Sequence, residues 1–268
     1  MGGAESADDL IPAPETIYER TKQEGRRRLA RPVAEEVSTA LAAGFDIVAG
    51  VTVLALVATE VEHRFGTHLG HLFGALGFGV AFVFLILGRG ELFTENFLVP
   101  IAGLERHTWR NLIKLWTISP LFNILGGLVV ILVLTTHSVL PFGTGETIVD
   151  TATTLHANGV LALFCSAIFA GSLITAMTWF VEGQATMMPR VVVAWICGSI
   201  LALGNFNHVI VITLELIFGY RYGGHYPWTF ILGNFGLAAA GNMLGGIGLV
   251  TLNRLTQGKQ GERKRASA

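Results

Sequence analysis

Six long apolar stretches, separated by short polar segments, most strongly constrain the fold of this chain. Each is long enough to supply the roughly 20 residues that a helix needs to cross a bilayer. Lipid cannot hydrogen-bond backbone groups, so such segments must be helical. Only 14% of the residues are charged, which excludes an ordinary soluble domain. The sequence predicts an all-α membrane protein with spans near residues 37–59, 71–103, 112–136, 157–181, 191–218 and 228–252.

The basic residues of the polar segments are unevenly distributed. If both termini are cytoplasmic, nearly all of the 18 lysines and arginines lie inside, and only Arg64 and Arg221 lie outside. This agrees with the positive-inside rule, so we predict that orientation. Near Pro14 to Ala30, an amphipathic helix on the membrane surface and a solvated tail are both compatible with the sequence. The predicted organisation is an N-terminal cytoplasmic tail (1–36), a six-span pore domain (37–254) and a basic C-terminal cytoplasmic tail (255–268).

The second and fifth stretches are interrupted by polar residues and glycine. One contains Glu91-Leu92-Phe93-Thr94, and the other contains Gly204-Asn205-Phe206-Asn207-His208. The interruptions recur three spans apart, in halves of opposite topology, which is typical of an inverted repeat with a mid-membrane site between broken helices. The N-termini of half-helices favour an anion. The sequence therefore predicts a polar site between the two interruptions.

One histidine stands apart from the other seven. His208 falls between long apolar runs at membrane depth, where ionisable groups are rare and usually functional. Its imidazole can donate to an anion or deliver a proton, and a packing histidine is the plain alternative. Thr94 offers a hydroxyl at the other interruption, with helix capping as its alternative role. We predict that this pair contacts the substrate.

Charged residues also lie close to the first interruption. Glu91 and Glu95 follow Arg89 within a few residues, and Glu215 follows the second interruption. An isolated buried charge is costly, so we expect Arg89 to pair with a carboxylate, such as Glu91, and to stabilise the loop. A cation pathway that uses Glu95 and Glu215 is the alternative.

Large apolar side chains flank both interruptions. Phe78 and Phe82 are one helical turn apart, and with Leu92, Phe93 and Leu201 they are expected to form apolar constrictions above and below the site. Constrictions of this kind exclude hydrated ions. Packing or lipid-facing surface is the alternative for any one of these residues.

Other kinds of site receive little support from the sequence. His63, His68 and His71 lack a ligand spacing and fall in a predicted outer loop, so we predict no metal site. There is no G-x-S-x-G motif and no phosphate-binding glycine loop, and we predict neither an enzyme nor a cofactor. The net charge of −1 gives no support to a nucleic-acid partner.

Three motifs together resemble the formate/nitrite transporter family. They are Leu92-Phe93-Thr94-Glu95-Asn96, Asn207-His208-Val209-Ile210 and Gly241-Asn242-Met243-Leu244-Gly245-Gly246, within residues 35–255. The resemblance implies a homopentamer in a bacterial-type inner membrane, with an aquaporin-like fold and one pore per protomer for small monovalent anions such as formate, nitrite or hydrosulfide. It implies that Thr94 and His208 line the pathway and that the apolar residues above form its gates. We also assign Ser172, Glu95 and Asn207 to the substrate pathway.

Several positions depart from that family pattern. Ser172 stands where the family usually has an asparagine that holds the histidine, and His156 replaces an outer lysine. With Glu95 and Glu215, these departures resemble the uncharacterised branch of the family. The sequence thus predicts a channel or proton-coupled transporter for a small anion or its conjugate acid. The alternatives are the cation pathway and a neutral-solute or water channel of the aquaporin type, for which an Asn-Pro-Ala motif is missing.

Overall fold

The computed structural model describes residues 12–103 and 108–257, and every regular element in those ranges is helical. Most of the predicted C-terminal tail therefore lies outside the described residues. The helices are α1 (Pro14–Leu29), α2 (Val33–Phe65), α3 (Thr67–Gly88), the 3₁₀ helix η1 (Phe93–Ala102), α4 (Thr108–Leu134), α5 (Thr144–His156), α6 (Val160–Gly183), α7 (Met187–Leu203), α8 (Val209–Arg221) and α9 (Trp228–Met243), which continues as a π-helix (Leu244–Thr251).

Five of these helices are long and apolar enough to cross a membrane. They are α2, α3, α4, α6 and α9 with its continuation to Gln257. The predicted fifth span corresponds instead to two shorter helices, α7 with 17 residues and α8 with 13. The predicted second span likewise divides into α3 and the ten-residue η1.

Both divisions begin with a residue in the left-handed backbone region. Arg89 ends α3 with φ 54°, and Asn205 follows α7 with φ 45°. This conformation cannot continue a right-handed helix, and it is uncommon for residues other than glycine. The next helix in each case begins inside the bundle, since Leu92 and His208 are fully buried.

Two predicted loops are shorter than expected. A single residue, Gly66 with φ 87°, separates α2 from α3, so His63, His68 and His71 lie on helices and not in a loop. Residues 144–156, predicted as loop, form α5, which buries Ile148, Ala152 and Leu155. An apolar repeat of three to four residues explains this helix, which is too short to be found by a search for membrane spans.

The bundle has two ends, which we name after the helices that lie there. The α1 face contains α1, the end of α3 and the start of α7, and the α5 face contains α5, the end of α2 and the start of α3. α1 is not a solvated tail, because it packs on η1 through Tyr18, Thr21, Gly25 and Leu29, which are all buried.

Candidate functional site

The starts of η1 and α8 meet at one hydrogen bond in the centre of the bundle. Thr94 Oγ1 lies 2.7 Å from His208 Nε2, and both residues are fully buried. Thr94 is in the first turn of η1, and His208 is the N-cap of α8. The structure therefore brings together the two residues that the sequence singled out, and their role in transport stays a prediction.

The hydrogen bonds of His208 define its protonation. Its Nδ1 accepts from the backbone N–H of Val211 at 3.3 Å, which caps α8. A ring nitrogen that accepts carries no proton, so the neutral ring has its proton on Nε2 and donates it to Thr94 Oγ1. No other partner of the Thr94 hydroxyl is found among the described residues. The Thr94 proton is thus available to an acceptor such as an anion.

An asparagine from α4 stabilises the first interruption. Asn123 Nδ2 donates to the carbonyls of Ala40 and Glu91, both at 2.9 Å, and its Oδ1 accepts from Phe93 N at 3.0 Å. The side chain replaces the backbone partners that Glu91 and Phe93 lose where the helix is interrupted. Asn123 is fully buried, so these bonds are shielded from water.

An asparagine from α9 does the same at the second interruption. Asn242 Nδ2 donates to the carbonyls of Ala167 at 2.8 Å and Asn207 at 3.0 Å, and its Oδ1 accepts from Val209 N at 2.9 Å. In both places the amide bridges the residues on either side of one position, which is Leu92 in the first interruption and His208 in the second.

The two asparagines begin the same short motif. Asn123-Ile124-Leu125-Gly126-Gly127 and Asn242-Met243-Leu244-Gly245-Gly246 share the pattern Asn-x-Leu-Gly-Gly. The first glycine of each motif packs against a backbone carbonyl, of Leu41 and of Ile168, with no room for a Cβ atom. Only the second copy belongs to the motifs singled out in the sequence. A comparison of the two halves of the chain would have found the first.

Asn207 has a structural environment of its own. It exchanges hydrogen bonds with Asn234, at 2.8 and 3.0 Å, and its Nδ2 also donates to Leu163 O at 3.2 Å. Every polar side-chain atom of Asn207 is therefore used within the protein. Asn207 was predicted in the pathway, and that role stays a prediction. Asn234 was not predicted, because its partner lies 27 residues away.

The ion pairs at the first interruption differ from the expected ones. Glu91 pairs with Arg31, and Glu95 lies 3.9 Å from Arg28, which also donates to Asn96 Oδ1 at 2.8 Å. Arg89 is exposed and forms no ion pair among the described residues. The expected pair of Arg89 with Glu91 is thus replaced by Arg31–Glu91, because α1 packs below the loop and places its arginines closer.

Below this loop lies a cavity of about 230 Å³ on the α1 face, which we call the arginine vestibule. Its charged lining consists of Arg27, Arg28, Arg31, Arg89 and Arg190 with Glu24, Glu95 and Glu182. Within α1, Glu24 accepts two bonds of 2.6 Å from Arg27 and one of 3.0 Å from Arg28. Burial raises the pKa of Glu24, but these bonds and the arginine charges outweigh it and lower the pKa to about 2.

The predicted constriction residues are buried, as the central pair is. Phe78, Phe82, Leu92, Phe93 and Leu201 are each at most 5% exposed. The rings of Phe78 and Phe82 pack edge to face with centroids 6.1 Å apart. In this conformation the central pair has no contact with solvent.

The two positions that depart from the family pattern do not contact His208 through any hydrogen bond. Ser172 donates to the carbonyl of Ile168 in its own helix at 2.9 Å and packs against Gly245. His156 is half-buried, and its ring packs against Phe230 with centroids 4.2 Å apart.

The family model for the formate/nitrite transporters matches residues 15–255, which is most of the chain. The chain belongs to the formate/nitrite transporter family. The membership that the sequence motifs predicted is therefore confirmed, as is the all-α membrane class.

The chain is similar to two relatives and to two solved structures. It is 27% identical to the inner membrane protein YfdC of Escherichia coli K12, over 89% of this chain and 77% of the relative. It is 26% identical to the uncharacterized transporter YrhG of Bacillus subtilis 168, over 89% and 91%. Neither name states a substrate, in agreement with the predicted uncharacterised branch.

The solved structures support the fold. A pentameric formate channel with formate bound matches with a TM-score of 0.71 at 19% identity, over 82% of this chain and 95% of the channel. An FNT family ion channel matches with a TM-score of 0.75 at 18% identity, over 88% and 96%. The formate/nitrite transporter fold thus covers most of both chains.

Proposed function

We propose that this protein is a homopentameric channel or proton-coupled transporter for a small monovalent anion, such as formate or nitrite, or for its conjugate acid. The central observation is the hydrogen bond between Thr94 and His208, at which two helix N-termini meet. We place the protein in the inner membrane, with the α1 face in the cytoplasm. The positive-inside rule, the YfdC relative and the pentameric formate channel support this assignment.

The pathway runs between two inverted halves, as in the aquaporins. The equivalent bonds of Asn123 and Asn242 support this arrangement, since each stabilises one interruption in the same way. Broken helices that meet at a central site are typical of inverted-repeat transporters. The apolar constrictions around the centre act as gates for hydrated ions.

The central pair acts as a chain of hydrogen-bond donors. His208 donates to Thr94, and the Thr94 hydroxyl donates to the anion, aided by the dipoles of η1 and α8. For His208 to supply a proton itself, its ring must first be protonated at Nδ1, and this breaks the bond from Val211 N. In the present arrangement the pair therefore binds and orients the anion.

Uptake of radiolabelled formate and nitrite into proteoliposomes tests this function. We expect His208→Phe to abolish uptake. Thr94→Val removes one hydrogen bond of about 1.4 kcal/mol, and we expect it to lower the uptake rate roughly tenfold. Thr213→Val is a matched control, because the one bond of the Thr213 hydroxyl in the described part of the chain is to the carbonyl of Val209 in its own helix. Uptake that is unchanged in both pathway variants would contradict the proposal.

The cation alternative receives less support. It requires two free carboxylates, but Glu95 lies 3.9 Å from Arg28 and also accepts from Leu92 N at 3.4 Å. A carboxylate that is neutralised by an arginine does not attract a cation. Reversal potentials in planar bilayers distinguish the two kinds of pathway.

A further inference from the structure

Glu215 is a buried carboxylate that takes no part in the action proposed for the central pair. It lies on α8, is 5% exposed and has no hydrogen bond or ion pair among the described residues. Burial of an ionised carboxylate without a partner is strongly unfavourable. A carboxyl group in this position is stable when it carries a proton or faces a ligand.

Glu215 lies on the same side of α8 as His208. The two residues are seven positions apart, which is about two helical turns or roughly 10 Å along the axis. Val211 and Ile212, between them, line the same small cavity as Glu215. The face of α8 that begins with His208 therefore continues along the pathway to Glu215.

The small cavity has a volume of about 20 Å³, which is enough for one water molecule. Phe78 and Leu201, two predicted constriction residues, form part of its wall. It shares Thr151 and Asn205 with a larger cavity of about 430 Å³ on the α5 face. Glu215 thus lies on the α5 side of the constriction, at the inner end of an entrance.

Among the described residues, the wall of the small cavity contains no lysine or arginine that could pair with Glu215. The titratable groups that line the larger cavity are Asp150 of α5, Glu62 of α2, and His68 and His71 of α3. His156 of α5 packs its ring against Tyr226 and Phe230. Tyr226, which precedes α9, donates its hydroxyl hydrogen to Leu216 O at 2.6 Å, so it does not donate to Glu215. The sequence of α9 has no titratable side chain. The basic residues of α4, Arg110 and Lys114, lie near the start of α4, on the α1 face. Arg221, at the end of α8, is directed to Thr135.

We propose that Glu215 carries a proton and transfers it to the anion that enters from the α5 face, before the anion reaches the apolar constriction. This inference rests on the proposed function. In the step, the O–H bond of Glu215 breaks and an O–H bond forms on the substrate, which becomes its neutral conjugate acid. Glu215 is left as a carboxylate, and hydronium from the larger cavity protonates it again.

The step defines a class of substrate. A carboxyl group transfers its proton readily only to the conjugate base of an acid of similar strength, such as a small carboxylic acid. Formate and nitrite satisfy this condition, whereas chloride, the anion of a strong acid, does not. The central pair then receives the conjugate acid, whose oxygen accepts the hydrogen bond from Thr94 as the anion's oxygen would, so the pair needs no proton of its own.

Proteoliposomes that contain a pH dye test the proposal by recording formate uptake and proton uptake together. We expect Glu215→Gln to reduce formate uptake about 100-fold and to abolish its increase at lower external pH. Glu215→Asp should restore part of both. Glu60→Gln is the control, because Glu60 is an exposed residue of α2 paired with Arg64, and it should behave as wild type. Wild-type uptake and pH dependence in Glu215→Gln would overturn the proposal.

Infrared difference spectroscopy gives a readout that does not depend on transport. We expect a protonated-carboxyl carbonyl band at neutral pH that disappears in Glu215→Gln and shifts in Glu215→Asp, so that either variant suffices if the other does not fold. A spectrum without such a band would overturn the proposal even if transport occurs. If the wild type transports neither formate nor nitrite but the band is present, the proposed function fails while the protonated state of Glu215 is retained.

Discussion

The two helix interruptions have the same internal support and different surroundings. At each, one asparagine amide replaces the lost backbone partners. The first interruption also carries Glu91 and Glu95, which are neutralised by arginines of α1. The second is surrounded by neutral amides and apolar side chains. The asparagine support is therefore common to both interruptions, whereas ion pairs couple only the first to the N-terminal helix.

The largest expected effect is the loss of either asparagine. Asn123→Leu and Asn242→Leu each leave three backbone groups without partners. These are one carbonyl and one N–H at the interruption and one carbonyl in the neighbouring helix. Each such group costs about 1–3 kcal/mol. We expect a large fall in the melting temperature of the detergent-solubilised protein, of similar size for both variants.

Asn158→Leu is the control for this pair, because Asn158 is exposed and its amide bonds only to Thr154 O in the preceding turn. A fall in melting temperature for one asparagine variant and none for the other would show that the two interruptions are not equivalent.

The next effect concerns the ion pair that only the first interruption has. Arg31→Gln leaves Glu91 buried without its partner, and breaking a buried pair in this way costs about 3–5 kcal/mol. We expect a lower melting temperature and faster proteolysis of α1. The double variant Arg31→Gln, Glu91→Gln should recover much of the loss, since no charge is then left unpaired.

Arg27→Gln serves as the comparison for Arg31→Gln, because Arg27 is about half exposed and surface pairs contribute little. If Arg31→Gln were no more destabilising than Arg27→Gln, the ion pair would not couple α1 to the interruption.

Acidic pH provides a smaller, reversible test of the same coupling. The pKa of Glu24 is lowered to about 2 in the folded protein from an ordinary value of 4.5. A lowered pKa means that stabilisation is present in full above about pH 4.5 and is lost as the pH falls towards 2. We expect pepsin to cleave α1 faster over this range in the wild type, and Glu24→Gln to be cleaved rapidly throughout it. A wild-type cleavage rate in Glu24→Gln would exclude this role of Glu24.

The sequence predicted the parts of this site that follow from local patterns. It did not predict the parts that depend on contacts between residues far apart in the chain. Apolar length and the interrupting residues indicated the spans and the two places where helices stop, and short motifs singled out Thr94 and His208. Asn123 was missed although its motif repeats that of Asn242. Arg31–Glu91 could not be predicted, because its residues are 60 positions apart and no periodicity connects them. Arg89, the nearest cation in sequence, is turned away by the left-handed backbone that ends α3.

The smallest expected effect is at Ser172, where this chain lacks the asparagine of the family pattern. Its hydroxyl bonds to a carbonyl of its own helix, an interaction that contributes little to stability. We expect Ser172→Ala to change the free energy of unfolding by less than about 0.5 kcal/mol and to leave formate uptake unaltered. Ser172→Asn should cost about 1–3 kcal/mol, because the larger side chain must displace the close contact with Gly245. His208 is already bonded at both ring nitrogens, to Val211 N and Thr94, so a new amide offers it no vacant position. Faster transport in Ser172→Asn would show instead that the second interruption is less rigid than its hydrogen bonds indicate.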